Sequence, residues 1–146
     1  MENFPNCNNS FENVPLTEKQ YTVSIDVPGH FTYYDTVDAT TKEGDMLIGK
    51  YASLGNTYIV AGDVNKDNVI DVMDALTIQE NWGTNNRAAD INFDGIVNEK
   101  DIRFVQTNYL KQNSTLEFLQ PGASPEAKKK YKGHTLESIL RELGVE

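Results

Sequence analysis

Three stretches of this chain carry side chains at helical spacing. Ala75, Ile78, Gln79 and Trp82 fall on one face, as do Ile102, Val105, Gln106, Tyr109 and Leu110. Leu136, Ile139, Leu140 and Leu143 form a third stripe that ends at Gly144, with Thr135 placed to cap its start. Upstream the pattern is alternating. Tyr21, Val23, Ile25 and Val27 are interleaved with Thr22, Ser24 and Asp26, which predicts a half-buried strand. Pro28-Gly29 predicts a turn, and residues 31–37 and 46–51 predict further strands. Residues 57–61 are β-branched and aromatic and also predict a strand, whereas Gly83, Thr84, Asn85 and Asn86 predict a turn. The expected organisation is a β region over 1–60, a helical unit over 61–112, and a linker with an amphipathic helix over 113–146.

Between the strand pattern and each of the first two helices lies a run of oxygen-bearing residues. Asp63, Asn65, Asp67, Asp71 and Asp74 occupy positions 1, 3, 5, 9 and 12 of a loop over 63–74. Asp90, Asn92, Asp94, Asn98 and Asp101 occupy the same positions of a second loop over 90–101. Calcium takes about 6–8 oxygens, and a loop of about 12 residues can wrap them around one ion. Positions 1, 3 and 5 converge on the ion. Position 7 offers its backbone carbonyl, so its side chain is free to be apolar; Val69 and Ile96 stand there. Position 9 ligates directly or through water, and position 12 closes the shell from the exiting helix. Ile70 and Val97, at position 8, are expected to pair with each other as a short strand. Position 6 must turn sharply. Gly95 supplies that in the second loop, and Asn68 is expected to hold a positive φ in the first. A glycine at 68 is then expected to be neutral or slightly stabilising. Two calcium ions are the expected cofactors, and folding is expected to depend on them.

Composition narrows the function. Twenty-two acids against 13 bases give a net charge of −9. That disfavours nucleic acid and anionic membrane surfaces as partners. No apolar run approaches the roughly 20 residues of a membrane span. One cysteine, Cys7, excludes an internal disulfide framework and a multi-thiolate zinc site. It lies among polar residues without a basic neighbour, so it is not expected to be a nucleophile. His30 and His134 are far apart with no local motif, no glycine-rich phosphate loop occurs, and the paired carboxylates all belong to the metal loops. No catalytic residues, and no enzyme activity, are expected of this chain.

Loop plus exiting helix, twice, with no entering helix and with Asp rather than Glu at position 12, resembles the dockerin family. The matching stretches are AGDVNKDNVIDVMDALTIQENWG and AADINFDGIVNEKDIRFVQTNYL, and the resemblance covers about residues 61–112. The resemblance implies a small three-helix fold with two calcium ions that binds a cohesin module on another protein, in cellulosomes and related secreted assemblies of polysaccharide degradation. It implies partner contacts at loop positions 10 and 11 and along the helix beyond, here Val72, Met73, Leu76, Gln79 and Glu80 in repeat one and Glu99 and Lys100 in repeat two. Apolar Val72 and Met73 look more like the type II class. Residues 11–38 resemble part of the immunoglobulin-like X-modules that precede dockerins, so the expected fold is mixed: a small, truncated β-sandwich followed by an all-α dockerin. The chain is expected to be secreted to a bacterial cell surface. Two functions fit these residues: an adhesion module that binds a cohesin, and a calcium-stabilised spacer with no cohesin partner. The tail helix has two readings also, packing on this chain or packing on a partner.

Overall fold

The computed structural model describes Pro15 and residues 20–38, 59–122 and 125–145. The strand expected over 46–51, most of the one over 57–61, and Cys7 lie outside the described residues. None of the described helices is long and apolar enough to cross a membrane.

Strands β1 (Gln20–Ile25) and β2 (Tyr33–Asp38) form an antiparallel hairpin with Gln20 opposite Asp38 and Ile25 opposite Tyr33. The alternation is visible in burial: Tyr21 and Val23 are half-buried, and Thr22 and Ser24 are exposed. Among the described residues no second sheet covers this hairpin. Of the expected immunoglobulin-like sandwich, the described residues hold a two-stranded hairpin and do not support a second layer. A lone hairpin is marginal in water and must lean on something. It leans on the helical unit, through Phe31 N–H to the Val60 carbonyl (2.8 Å), Gly62 N–H to the Gly29 carbonyl (2.7 Å), and the buried Phe31 ring.

The helical unit holds α1 (Val72–Glu80) and α2 (Glu99–Asn108). Each starts at a reciprocal capping box, Asp71 with Asp74 and Asn98 with Asp101, which satisfies orphan N–H groups of the first turn. After α2 come a 3₁₀ turn (Ser114–Phe118), the short strands β3 (Lys130–Tyr131) and β4 (His134–Thr135), and α3 (Leu136–Leu143). Helix α3 is capped by Thr135 and closed by Gly144 at φ 70°, with the Val145 N–H returning to the Leu140 carbonyl at 2.9 Å. Of the two readings of the tail, the structure takes the first: Leu136, Ile139 and Val145 join the same buried cluster as Ala75, Ile78, Ile102 and Val105. The third helix of the unit thus comes from outside the stretch that carries the dockerin resemblance.

The expected pairing of Ile70 with Val97 is not formed. Each residue is clasped by the turn after the other repeat's helix. Ile70 exchanges hydrogen bonds with Lys111 and Leu110 (2.9 and 2.7 Å), and Val97 with Thr84 and Gly83 (2.7 and 2.8 Å). The repeats are interlocked because each loop's apolar position 8 is fully buried and its backbone needs partners there.

Gly29 sits at φ +72° with its α-carbon pressed on loop two; a Cβ there would lie 2.9 Å from Ile91 Cγ1 and 3.1 Å from the Ala88 carbonyl oxygen. Gly29→Ala should destabilise the protein by about 1–3 kcal/mol in urea unfolding, since it adds a left-handed penalty to an overpacked contact. An unchanged midpoint would show that the hairpin does not bear on loop two.

Candidate metal centre and partner surface

The two loops repeat one hydrogen-bond pattern. In loop one the Asp63 carboxylate accepts from Asp67 N–H and Asn68 N–H, both at 3.1 Å, and Asp67 accepts from Val69 N–H at 3.1 Å. In loop two Asp90 accepts from Asp94 and Gly95 N–H (3.1 and 2.9 Å), and Asp94 from Ile96 N–H (3.2 Å). Position 12 is the tie. Asp74 accepts from Val64, Asn65 and Asp71 N–H at 2.8, 3.2 and 2.8 Å, and Asp101 from Ile91, Asn92 and Asn98 at the same three distances. One carboxylate therefore fastens the start of each loop to the start of its helix. Asn68 holds φ 68°, as expected of position 6, beside Gly95 at φ 92°.

Asp63, Asp74, Asp90 and Asp101 are each at most 3 % exposed. Burial pushes the Asp63 carboxyl up to about 6 and that of Asp74 up to about 7, the backbone N–H groups opposing the shift in both. Among the described residues no three His, Cys, Asp or Glu side chains are gathered closely enough to hold a metal unaided. The donors of each loop are mixed: carboxylates at 1, 5 and 12, an Asn side chain at 3 and a backbone carbonyl at 7. An all-oxygen set with buried anionic members suits a hard divalent cation such as calcium and no soft metal.

Position 9 is otherwise engaged. Asp71 Oδ1 accepts from Met73 N–H at 2.7 Å, and its Oδ2 accepts from Lys128 N–H at 2.7 Å. Asn98 Oδ1 likewise caps its helix through Lys100 N–H (2.8 Å), while its amide donates to the Ile96 carbonyl (3.1 Å). Both residues act here as helix caps, and Asp71 also anchors the tail.

Position 4 carries a role that spacing did not reveal. Lys66 and Phe93 both stand at φ 63° and both reach the N-terminal hairpin. Lys66 Nζ donates to Asp26 Oδ1 and to the Val27 and His30 carbonyls, each at 2.6 Å. This pairing holds the exposed Asp26 carboxyl below the usual range. Phe93 lies 5.9 Å from the His30 ring, with the Arg87 guanidinium 3.3 Å above its face. The legible signal was a lysine inside an acidic loop at a non-ligating position. Asn113, buried, completes the joint: its amide donates to the Thr32 carbonyl (2.7 Å) and Asn68 Oδ1 (2.8 Å).

The expected partner contacts divide. Val72 is fully buried, which corrects the expectation that its side chain contacts a partner; its N–H also donates to the Lys128 carbonyl at 3.2 Å. Met73, Leu76 and Gln79 are half-buried, and Gln79 donates to Glu142 Oε2 at 2.7 Å. Glu80, Glu99 and Lys100 are exposed; Glu99 pairs with Arg103 and Lys100 with Asp94 (2.9 Å). The Lys100 contact keeps the Asp94 carboxyl below its usual range.

Two outcomes follow from this geometry. Asp63 and Asp74 bind protons more tightly folded than unfolded, so their contribution to stability falls as pH rises from about 4 through 7. Calcium binds only the ionised forms and competes with those protons. In chelator the melting temperature should be higher at pH 5 than at pH 7.5, and calcium should reverse the order; a metal-free profile that rises with pH would contradict this. Asn68→Gly should lower stability by about 1 kcal/mol rather than prove neutral, because the relieved left-handed backbone is outweighed by the lost bond to buried Asn113. Equal urea midpoints would refute it.

Comparison with known proteins gives one result. No curated protein and no solved structure matches the chain. A family model described as the Dockerin type I domain matches residues 61–111. The matching model is the type I one, and the type II likeness rested on an apolar pair of which Val72 is buried. Residues 61–111 are thus similar to the Dockerin type I domain, whose members are in general calcium-dependent, non-catalytic, cohesin-binding modules.

Proposed function

We propose that this chain is a non-catalytic, calcium-dependent adhesion module that binds a cohesin and so attaches its parent protein to a cellulosome-like scaffold or a cell surface. One observation carries the reading: two loops with the same hydrogen bonds at the same positions, both inside the segment that matches the dockerin model. Each loop holds one calcium ion, through Asp63, Asn65, Asp67, Asp74 and the Val69 carbonyl in the first, and Asp90, Asn92, Asp94, Asp101 and the Ile96 carbonyl in the second. Asp71 and Asn98 contribute from behind, by capping the helices that carry position 12. The parent protein works outside the cell, where calcium is abundant and cohesins are displayed.

The burial of Val72 favours a second reading. An apolar pair beside a metal loop would be hard to explain in a spacer, but here Val72 is fully buried and Met73 half-buried within the chain itself. A calcium-stabilised spacer with no cohesin partner therefore fits the same residues.

Titration calorimetry should find two calcium sites at micromolar concentration or tighter, and Asp63→Ala and Asp90→Ala should each remove one. Pull-down against purified cohesins should capture the chain in calcium and release it in chelator. Calcium binding with no cohesin captured would leave the spacer reading in its place, and the absence of any calcium site would overturn both.

A further inference from the structure

The turn of the N-terminal hairpin touches both loops. On the side of loop one, the Gly29 carbonyl accepts from the N–H of Gly62, the residue before Asp63, and Phe31 N–H donates to the Val60 carbonyl. Lys66, at position 4, gives its ammonium to the Val27 and His30 carbonyls and to Asp26 Oδ1. The Thr32 carbonyl accepts from the Asn113 amide, which also donates to Asn68 Oδ1 at position 6. On the side of loop two, Gly29 presses on Ile91 at position 2 with no room for a Cβ, and the His30 ring lies beside Phe93 at position 4.

Position 4 stands at φ 63° in both copies, a left-handed backbone that lysine and phenylalanine disfavour. The hairpin offsets that strain by holding the side chain which this backbone throws outward. Two of the three oxygens on Lys66 are main-chain carbonyls, so the contact depends on the shape of the turn rather than on one side chain. Charge-assisted bonds from a side chain only 31 % exposed are strong ones for a loop surface. Among the described residues no second sheet covers the hairpin, so the loops are what it rests on.

Closing each loop gathers like charges, and in loop one Asp67 opposes ionisation of the buried Asp63. The closed loop is the form that brings the oxygens of positions 1, 3, 5 and 12 together. It is also the form that presents position 4 to the hairpin. Two binding events that favour one conformation strengthen each other by the same factor.

We propose that the hairpin turn over 26–32 is a clamp on the two calcium loops: its docking holds both loops closed and raises their affinity for calcium, calcium in turn tightens the hairpin, and Lys66 and Phe93 are the positioning residues. This rests on the calcium reading above and requires no partner protein.

The test is calcium calorimetry of the full chain, one site at a time. In an Asp90→Ala background, which leaves loop one, Lys66→Met should weaken calcium binding at least about fivefold, because methionine keeps the stem and loses the ammonium. In an Asp63→Ala background, which leaves loop two, Phe93→Ala should weaken it by a similar factor, with Phe93→Leu in its place if the alanine variant does not fold. Leu143→Ala loosens α3, which packs on α1, and should leave both affinities within about twofold. The reciprocal readout is amide hydrogen exchange. Exchange at Phe31 should slow when calcium is added to the parent chain, and should slow at least about fivefold less in Lys66→Met. Exchange at Val145 should not distinguish the two proteins. Unchanged affinities in the Lys66 and Phe93 variants, or losses matched by Leu143→Ala, would overturn the clamp and leave calcium binding standing. Exchange at Phe31 that ignores calcium would overturn the coupling. Absence of any calcium site in the parent would overturn the calcium reading and the clamp together.

Discussion

Everything in the helical unit depends on two buried carboxylates, Asp74 and Asp101. Each accepts three backbone N–H groups, two from the start of its loop and one from the cap residue of its helix. A backbone that turns sharply has no ladder to satisfy its donors, and a buried unpaired N–H costs about 1–3 kcal/mol. One short side chain meets three such needs in each repeat. Aspartate suits this better than the longer glutamate, because its carboxylate stays close to the first helical turn. The arrangement concentrates negative charge where water is scarce, which is why Asp63 and Asp74 hold their protons so far above the usual range. Metal and proton are the two available remedies for that charge.

The interlock of the repeats follows from the same loops. Ile70 and Val97 are fully buried, and each finds its backbone partners in the turn that ends the opposite repeat. Neither loop is therefore complete without the other's exit from its helix. The hairpin and the tail then close on this pair from outside, the hairpin at the loops and the tail along α1.

Much of this was legible in the chain, and the reasons are physical. The loops could be read as a repeat because the same oxygen-bearing residues recur at the same spacing, and the same hydrogen bonds recur with them, with no packing context needed to see it. The three helices could be read because their stripes are periodic and their caps, Asp71, Asn98 and Thr135, are of the expected types. What failed was partner choice. Val72 joins a buried cluster that residues of the tail complete, and nothing local to Val72 encodes the tail. The same holds for Ile70 and Val97, whose pairing across repeats is a long-range matter. In the β region, alternation in Tyr21 to Ile25 specifies a strand with one covered side, and a hairpin resting on loops provides that as well as a sandwich does. Lys66 and Phe93 were passed over because they lie between ligating positions.

Those two residues show how such a loop is able to diversify. The proposed coordination would constrain positions 1, 3, 5, 7 and 12, and the turn constrains position 6, but position 4 is bound only by its backbone, at φ 63° in both copies. Any side chain that tolerates that backbone is thrust outward at a reproducible angle without disturbing the ion. Repeat one has put a cation there to grip three oxygens, and repeat two an aromatic ring that meets an imidazole and a guanidinium. The position works as a socket with an interchangeable fitting. Duplicated loops can thus keep one hydrogen-bond pattern inside while acquiring unlike attachments outside, and neighbouring segments of quite different sequence can be fastened to the same loop scaffold.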